Sequence, residues 1–139
     1  MTGRREQGGA TVEMVIIAPL LIMTMLFVVG LGRLASTREV IDGAARDGAR
    51  EASMARNASD AVNRAQAVVH DTLQGRQVTC QSLQVNTDAT AASFQPGGAV
   101  TVDVSCTVAN QDVVLSGLPG SSTLHGTFAA PIDQYRGIG

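Results

Sequence analysis

The chain has no tryptophan, one tyrosine and three phenylalanines in 139 residues, and no lysine, since all ten basic residues are arginine. The shortage of aromatics leaves Val, Leu, Ile and Ala to build whatever core forms, and a core of that kind in a small domain is thin enough to call for added staples. A formal net charge of −2, with arginines scattered among acidic neighbours, excludes the basic face of a nucleic-acid binder, so no nucleic-acid partner is expected. Arg38, Asp42 and Arg46, at i,i+4 spacing, read as a solvated helix face. Two cysteines and two histidines far apart make no zinc signature. The serines show no nucleophile-elbow pattern, and no Gly-rich loop stands between a strand and a helix to hold phosphate. His70 and His125 read as exposed or satisfied side chains. No catalytic residue, cofactor, metal or small-molecule substrate is therefore expected, and the chain is read as no enzyme.

Charge is also missing from one long stretch. Residues 8–32 read GGATVEMVIIAPLLIMTMLFVVGLG, and nineteen residues between Glu13 and Arg33 carry no charge. At ~1.5 Å rise they span roughly 29 Å, close to the ~30 Å hydrocarbon core of a bilayer. The run lacks the polar face of a buried helix in a soluble domain. Its one polar side chain is Thr24, whose hydroxyl can bond back to a carbonyl one turn earlier. A secretory signal peptide also begins with basic residues, here Arg4 and Arg5, but its apolar region is shorter, about 7 to 15 residues. The small pair Gly30 and Gly32 is followed directly by Arg33, a poor cleavage context. A twin-arginine signal fits worse, because Glu-Gln-Gly-Gly follows Arg4-Arg5. The reading is a membrane helix with Glu13 at its cytoplasmic rim, where a carboxylate becomes costly as it sinks deeper. Pro19 suggests a bend or an early start.

Beyond the anchor, residues 33–56 continue helix-like, with Leu34, Ile41, Ala44, Gly48, Ala52 and Ala55 on one narrow stripe of mostly small side chains that allows close approach of another backbone. Gly43 and Gly48 each weaken a helix by ~1 kcal/mol relative to Ala; close packing is one reading of both, and chance placement in a glycine-rich chain is the other. Ser59 is a fair N-cap for a second helix over 60–74, with Asp60 in its first turn and Gly75 ending it. Ala61, Val62, Ala65, Val68, Val69 and Leu73 define its buried face. The period then switches to alternation. A strand starts at Val78 and Cys80 and runs to about Val85, and 86–98 is a polar loop ending in a turn. Val100, Val102, Val104, Cys106 and Val108 form a half-buried antiparallel strand. Residues 112–115 continue the sheet after a bend, 116–122 form a loop, and 123–130 is a last strand. Cys80 and Cys106 could face each other on neighbouring strands, and in an exported domain a disulfide there would stabilise by roughly 3.5 kcal/mol. Two buried thiols are the other reading that the residues leave open.

Two motifs carry a resemblance. A short basic leader, a glycine, four residues and then glutamate opening an apolar helix is the prepilin pattern, and Gly8-Gly9-Ala10-Thr11-Val12-Glu13 is similar to it. Met14 stands where tight-adherence pilins usually carry tyrosine. The second motif, Ala44-Ala45-Arg46-Asp47-Gly48-Ala49-Arg50, resembles the stretch that follows the anchor in TadE-like proteins of the tight-adherence pilus system. Together they cover roughly the first fifty residues. The resemblance implies a minor pseudopilin: a structural and assembly component, cut after Gly8 by a prepilin peptidase so that Gly9 becomes the first mature residue and Glu13 the fifth. It also implies other pilins and pseudopilins as partners, with the new amine of Gly9 neutralised by a neighbouring subunit's glutamate during assembly, the role that Glu13 would take.

The expected fold is α+β and pilin-like, with a long N-terminal helix (transmembrane, then extracytoplasmic), a second helix and a small antiparallel sheet of three or four strands. The expected organisation is a leader over 1–8, a transmembrane helix over 9–33 and an extracytoplasmic domain over 34–139. Arg4 and Arg5 favour a cytoplasmic N-terminus. Arg33, Arg38, Arg46 and Arg50 oppose them on the other side, and the short N-terminal tail and the two cysteines decide for a single pass in the cytoplasmic membrane with the domain outside. An uncleaved anchored envelope domain that binds a protein partner is the alternative function. A secreted soluble domain would require removal of everything through Gly32.

Overall fold

An apolar run followed by an alanine-rich one gives a helix no reason to stop at the join. In the computed structural model, which describes residues 7–90, 93–109 and 120–135 with side chains from Val12 onward, α1 (Gln7–Ser53) is one continuous helix of 47 residues, about 70 Å long at ~1.5 Å per residue. It runs through Pro19 unbroken. The Thr24 hydroxyl donates to the carbonyls of Leu20 and Leu21, each at 2.9 Å, so the polar group in the apolar run is satisfied within the helix.

α1 ends at Ser53, short of the Arg56 expected from the sequence, and turns through a tight corner into α2 (Ala58–Gly75). The cap of α2 is Asn57 and not Ser59: the Asn57 side-chain oxygen accepts from the Asp60 N–H at 2.8 Å and from the Ser59 hydroxyl at 2.7 Å. Ser59 already lies inside the first turn, where its hydroxyl supports the capping residue. Asp60 accepts from the Arg56 N–H at 3.3 Å and from Arg64 Nε at 3.0 Å, and Arg64 also pairs with Glu51 of α1 at 3.2 Å. These are the two ion pairs among the described residues. The exposed set Arg38, Asp42 and Arg46 forms none.

The far end of α2 closes in a Schellman arrangement, in which the Gln77 N–H bonds the Gln74 carbonyl and the Val78 N–H bonds the Leu73 carbonyl. Gly75 is the last helical residue, but the left-handed position belongs to Gln77, at φ 58. The chain therefore crosses the corner two residues later than the glycine suggests, and the first strand starts later as well.

That strand, β1 (Ser82–Asp88), takes in residues expected to be loop and leaves out Val78 and Cys80. β2 (Ala99–Ala109) and β3 (Ser121–Pro131) complete an antiparallel sheet in the order β1-β2-β3. Leu83 pairs with Cys106, and Cys106 with Leu124. β3 begins at Ser121, inside the expected loop. The strand expected over 112–115, and residues 116–119 of that loop, lie outside the described residues. The architecture is α+β, as the sequence indicates.

The inner face of β2 supplies Val100, Val102, Val104, Cys106 and Val108, all buried, against Ile41 and four buried alanines of α1, Ala55 of the corner, and Ala61, Ala65, Val69 and Leu73 of α2. Val62 and Val68 are only half-buried. None of the fully buried large side chains is aromatic, and Phe94 and Phe128 pack at the rim. The staple that this aliphatic core calls for is present: Cys80 and Cys106 are joined in a disulfide, with Cα atoms 5.4 Å apart and a sequence separation of 26. It does not bridge two strands. Cys80 sits in the connection before β1, and the bond ties that connection to the buried face of β2.

Candidate membrane and assembly helix

α1 has two halves with opposite surroundings. From Val12 to Leu31 every large apolar side chain is between 40% and 72% exposed, so this half has no partner within the chain. Eleven Val, Ile, Leu and Phe side chains lie between Glu13 and Arg33, and at ~0.3–0.6 kcal/mol each for a residue at mid-bilayer they favour insertion by at most about 3–7 kcal/mol. One buried charge costs ~2.5–3.5 kcal/mol on the same scale, so the helix tolerates Glu13 best at the rim. By length and composition this helix could cross a membrane.

The second half is the packing face of the domain. In the run from Ala44 to Arg50, Ala44, Ala45, Gly48 and Ala49 are buried, while Arg46, Asp47 and Arg50 are exposed. The buried stripe is wider than the sequence suggested, since Ala45 and Ala49 join it. Small side chains at adjacent positions widen a stripe without adding hydrophobic signal, so periodicity alone does not reveal them. Gly48 is the closest point: a Cβ there would lie 2.9 Å from Val69 Cγ2, 3.4 Å from the Ala65 carbonyl and 3.6 Å from Val102 Cγ1. α1 is thus wedged between α2 and the sheet. Gly43 is different, with nothing within 4 Å of the position a Cβ would take, so close packing does not explain it.

On the outer side, the Arg46 guanidinium lies over the Phe128 ring of β3, 5.2 Å from its centroid. Arg46 and Arg50 border a cleft of about 380 Å³ with Ser53, Phe128, Ala130 and Pro131. His70 sits on α2 beside a second cleft, with Leu73, Gln77 and Leu83, and His125 is exposed on β3 opposite Ser105. The structure does not bring the two histidines together. Among the described residues no group of three His, Cys, Asp or Glu side chains could hold a metal.

Of the expected processing residues, Gly8 and Gly9 are already inside α1. Gly9 and Glu13 are one turn apart on the same face, separated by a rise of about 6 Å. Glu13 is exposed.

The family model of TadE-like proteins matches residues 8–50, and over that stretch the chain is similar to them. The match begins at the glycine before the apolar run and ends at the last arginine of the second motif. TadE-like proteins are components associated with the tight-adherence pilus, of a structural and not an enzymatic type. No curated protein matches the chain, and no solved structure does.

Proposed function

We propose that this TadE-like chain is a minor pseudopilin of a tight-adherence pilus or related secretion system. A prepilin peptidase cuts it after Gly8, and residues 9–33 hold it in the cytoplasmic membrane as a single pass with its N-terminus inside. Residues 34–139 form its extracytoplasmic domain. The observation that carries this reading is the register of two motifs on one unbroken helix: the glycine-to-glutamate leader opens the exposed apolar half, and the alanine-rich motif packs the domain onto the other half. The disulfide supports an oxidising location for the domain.

In this reading the new amine at Gly9 and the carboxylate of Glu13 are complementary charges at the same rim of the membrane. Each is costly alone in a low-dielectric setting and less so when paired, within one subunit or between neighbours. The test separates cutting from assembly. Glu13→Gln keeps the size of the side chain and removes its charge, so it is expected to be cut after Gly8 and to abolish or sharply reduce piliation in cells that otherwise lack this chain. Normal piliation with Glu13→Gln would contradict the role given to the carboxylate. Normal piliation without the chain at all would favour the uncleaved envelope domain.

A further inference from the structure

Three contacts along β3 fix how the sheet lies beside α1. Gly126 is pressed against α1, where an added Cβ would stand 2.9 Å from Asp42 Oδ1 and 3.0 Å from the Ile41 carbonyl. Phe128 lies under Arg46. Ala130 and Pro131 share a cleft with Arg50 and Ser53. β3 therefore runs in the same direction as α1, two strand residues covering about four helical ones, as rises of ~3.4 and ~1.5 Å require. Followed backwards, Ser121 stands five residues before Gly126, or roughly 17 Å and eleven helical residues nearer the N-terminus of α1, level with Leu31. An oblique crossing moves that level to Arg33 and the turn after it.

The burial pattern agrees independently. Gly30 is the first buried residue along α1 from Val12 onward, and Leu34 packs against the core. Leu34, Thr37 and Val40 are half-buried along one face and Ile41 is the first fully buried large side chain, so contact between the domain and α1 starts within a turn of the end of the uncharged run.

We propose that the end of the sheet formed by Ala109 of β2 and Ser121 of β3 is seated in the lipid headgroup layer, so that the domain rests on the bilayer. This rests on the reading of residues 14–32 as membrane-spanning. The chemistry of that end suits the site. Thr107, Ala109, Ser121 and Thr123 are small and uncharged, and the exposed Arg33 and Arg38 stand at the same level of α1, placed to meet lipid phosphates. Asp88 of β1 and Asp133 after β3 lie at the opposite end, while the exposed Glu39 stands beside Arg38 at the level of the seat.

The absence of tryptophan makes the test direct. The full chain is reconstituted in vesicles of phosphatidylcholine and phosphatidylglycerol, with and without bromine on the acyl chains. Single tryptophans are placed by Ser121→Trp, Thr107→Trp, Asp133→Trp and Leu21→Trp. The expected result is strong quenching by brominated lipid at Leu21→Trp, partial quenching with a blue-shifted emission at Ser121→Trp and Thr107→Trp, and none at Asp133→Trp. Quenching at Leu21→Trp with Ser121→Trp and Thr107→Trp as open to aqueous iodide as Asp133→Trp would overturn the seating while leaving the anchor intact. Loss of quenching at Leu21→Trp would overturn both.

Discussion

Gly43 and Gly48 lie five residues apart in one helix, yet the same substitution is expected to have opposite signs at the two positions. Exchanging a helix-interior glycine for alanine gains ~1 kcal/mol of helix propensity. At position 43 nothing stands within 4 Å of the new methyl, so Gly43→Ala should keep the whole gain and raise the melting temperature by roughly 4–8 °C for a domain of this size. At position 48 the methyl would meet Val69 Cγ2 at 2.9 Å, well inside the ~3.5–4.0 Å of an ordinary carbon contact. Val69 is wholly buried, and a helical valine has essentially one χ1 rotamer. The Ala65 carbonyl at 3.4 Å is backbone and has little room to retreat. Overpacking of this kind costs ~1–3 kcal/mol, so Gly48→Ala should be neutral to about 2 kcal/mol less stable. Propensity cancels between the two variants, and the difference of ~1–3 kcal/mol is the packing term alone. The assay is thermal unfolding of the oxidised full chain in detergent micelles, followed by circular dichroism. The apolar half of α1 stays helical in the micelle, so the transition reports the domain. Equal stabilisation by Gly43→Ala and Gly48→Ala would refute the placement of α1 between α2 and β2.

Reduction of the Cys80–Cys106 bond, or Cys106→Ala together with Cys80→Ala, should lower stability by about 3.5 kcal/mol, read as a lower urea midpoint. Asp60 gives a pH dependence. The hydrogen bond from the Arg56 N–H, then that from Arg64, hold its carboxyl below the usual carboxylate value. The folded chain therefore binds fewer protons there than the unfolded one, and this contribution is present above the unfolded pKa and lost as pH falls through the folded one. Asp60→Asn should flatten the acid limb of stability below about pH 4 and leave its neutral-pH slope unchanged, measured as urea midpoints across that range.

What could be read from the sequence follows the strength of the physical signal. The strict alternation from Val100 to Val108 survives because one face of β2 is buried, and a one-residue slip would turn every valine to water. The apolar half of α1 is equally plain, since nineteen uncharged residues satisfy a length requirement that few other structures share. The misplaced boundaries have local causes. Asn57 and Ser59 are both good capping residues, and composition does not rank them. The left-handed residue at the end of α2 is Gln77, a position where glycine is the usual signal, so Gly75 marked the stop too early and Cys80 was drawn into a strand. The disulfide partners were legible from there being only two cysteines, but their setting was not. The Arg46–Phe128 contact links residues 82 positions apart in sequence, and no local pattern announces it. The wedge at Gly48 was legible as a possibility and separable from Gly43 only with α2 and β2 in place.

The most direct test of the proposed role is the N-terminal residue of the mature protein, read by mass spectrometry of the membrane fraction beside a Gly8→Leu variant. The account predicts a chain beginning at Gly9, with the variant left uncut. A terminus at Met1 or Thr2 in the unaltered protein would contradict processing and leave an anchored envelope domain, and a terminus at or beyond Arg33 would show that the apolar half of α1 was a signal peptide and not a membrane helix.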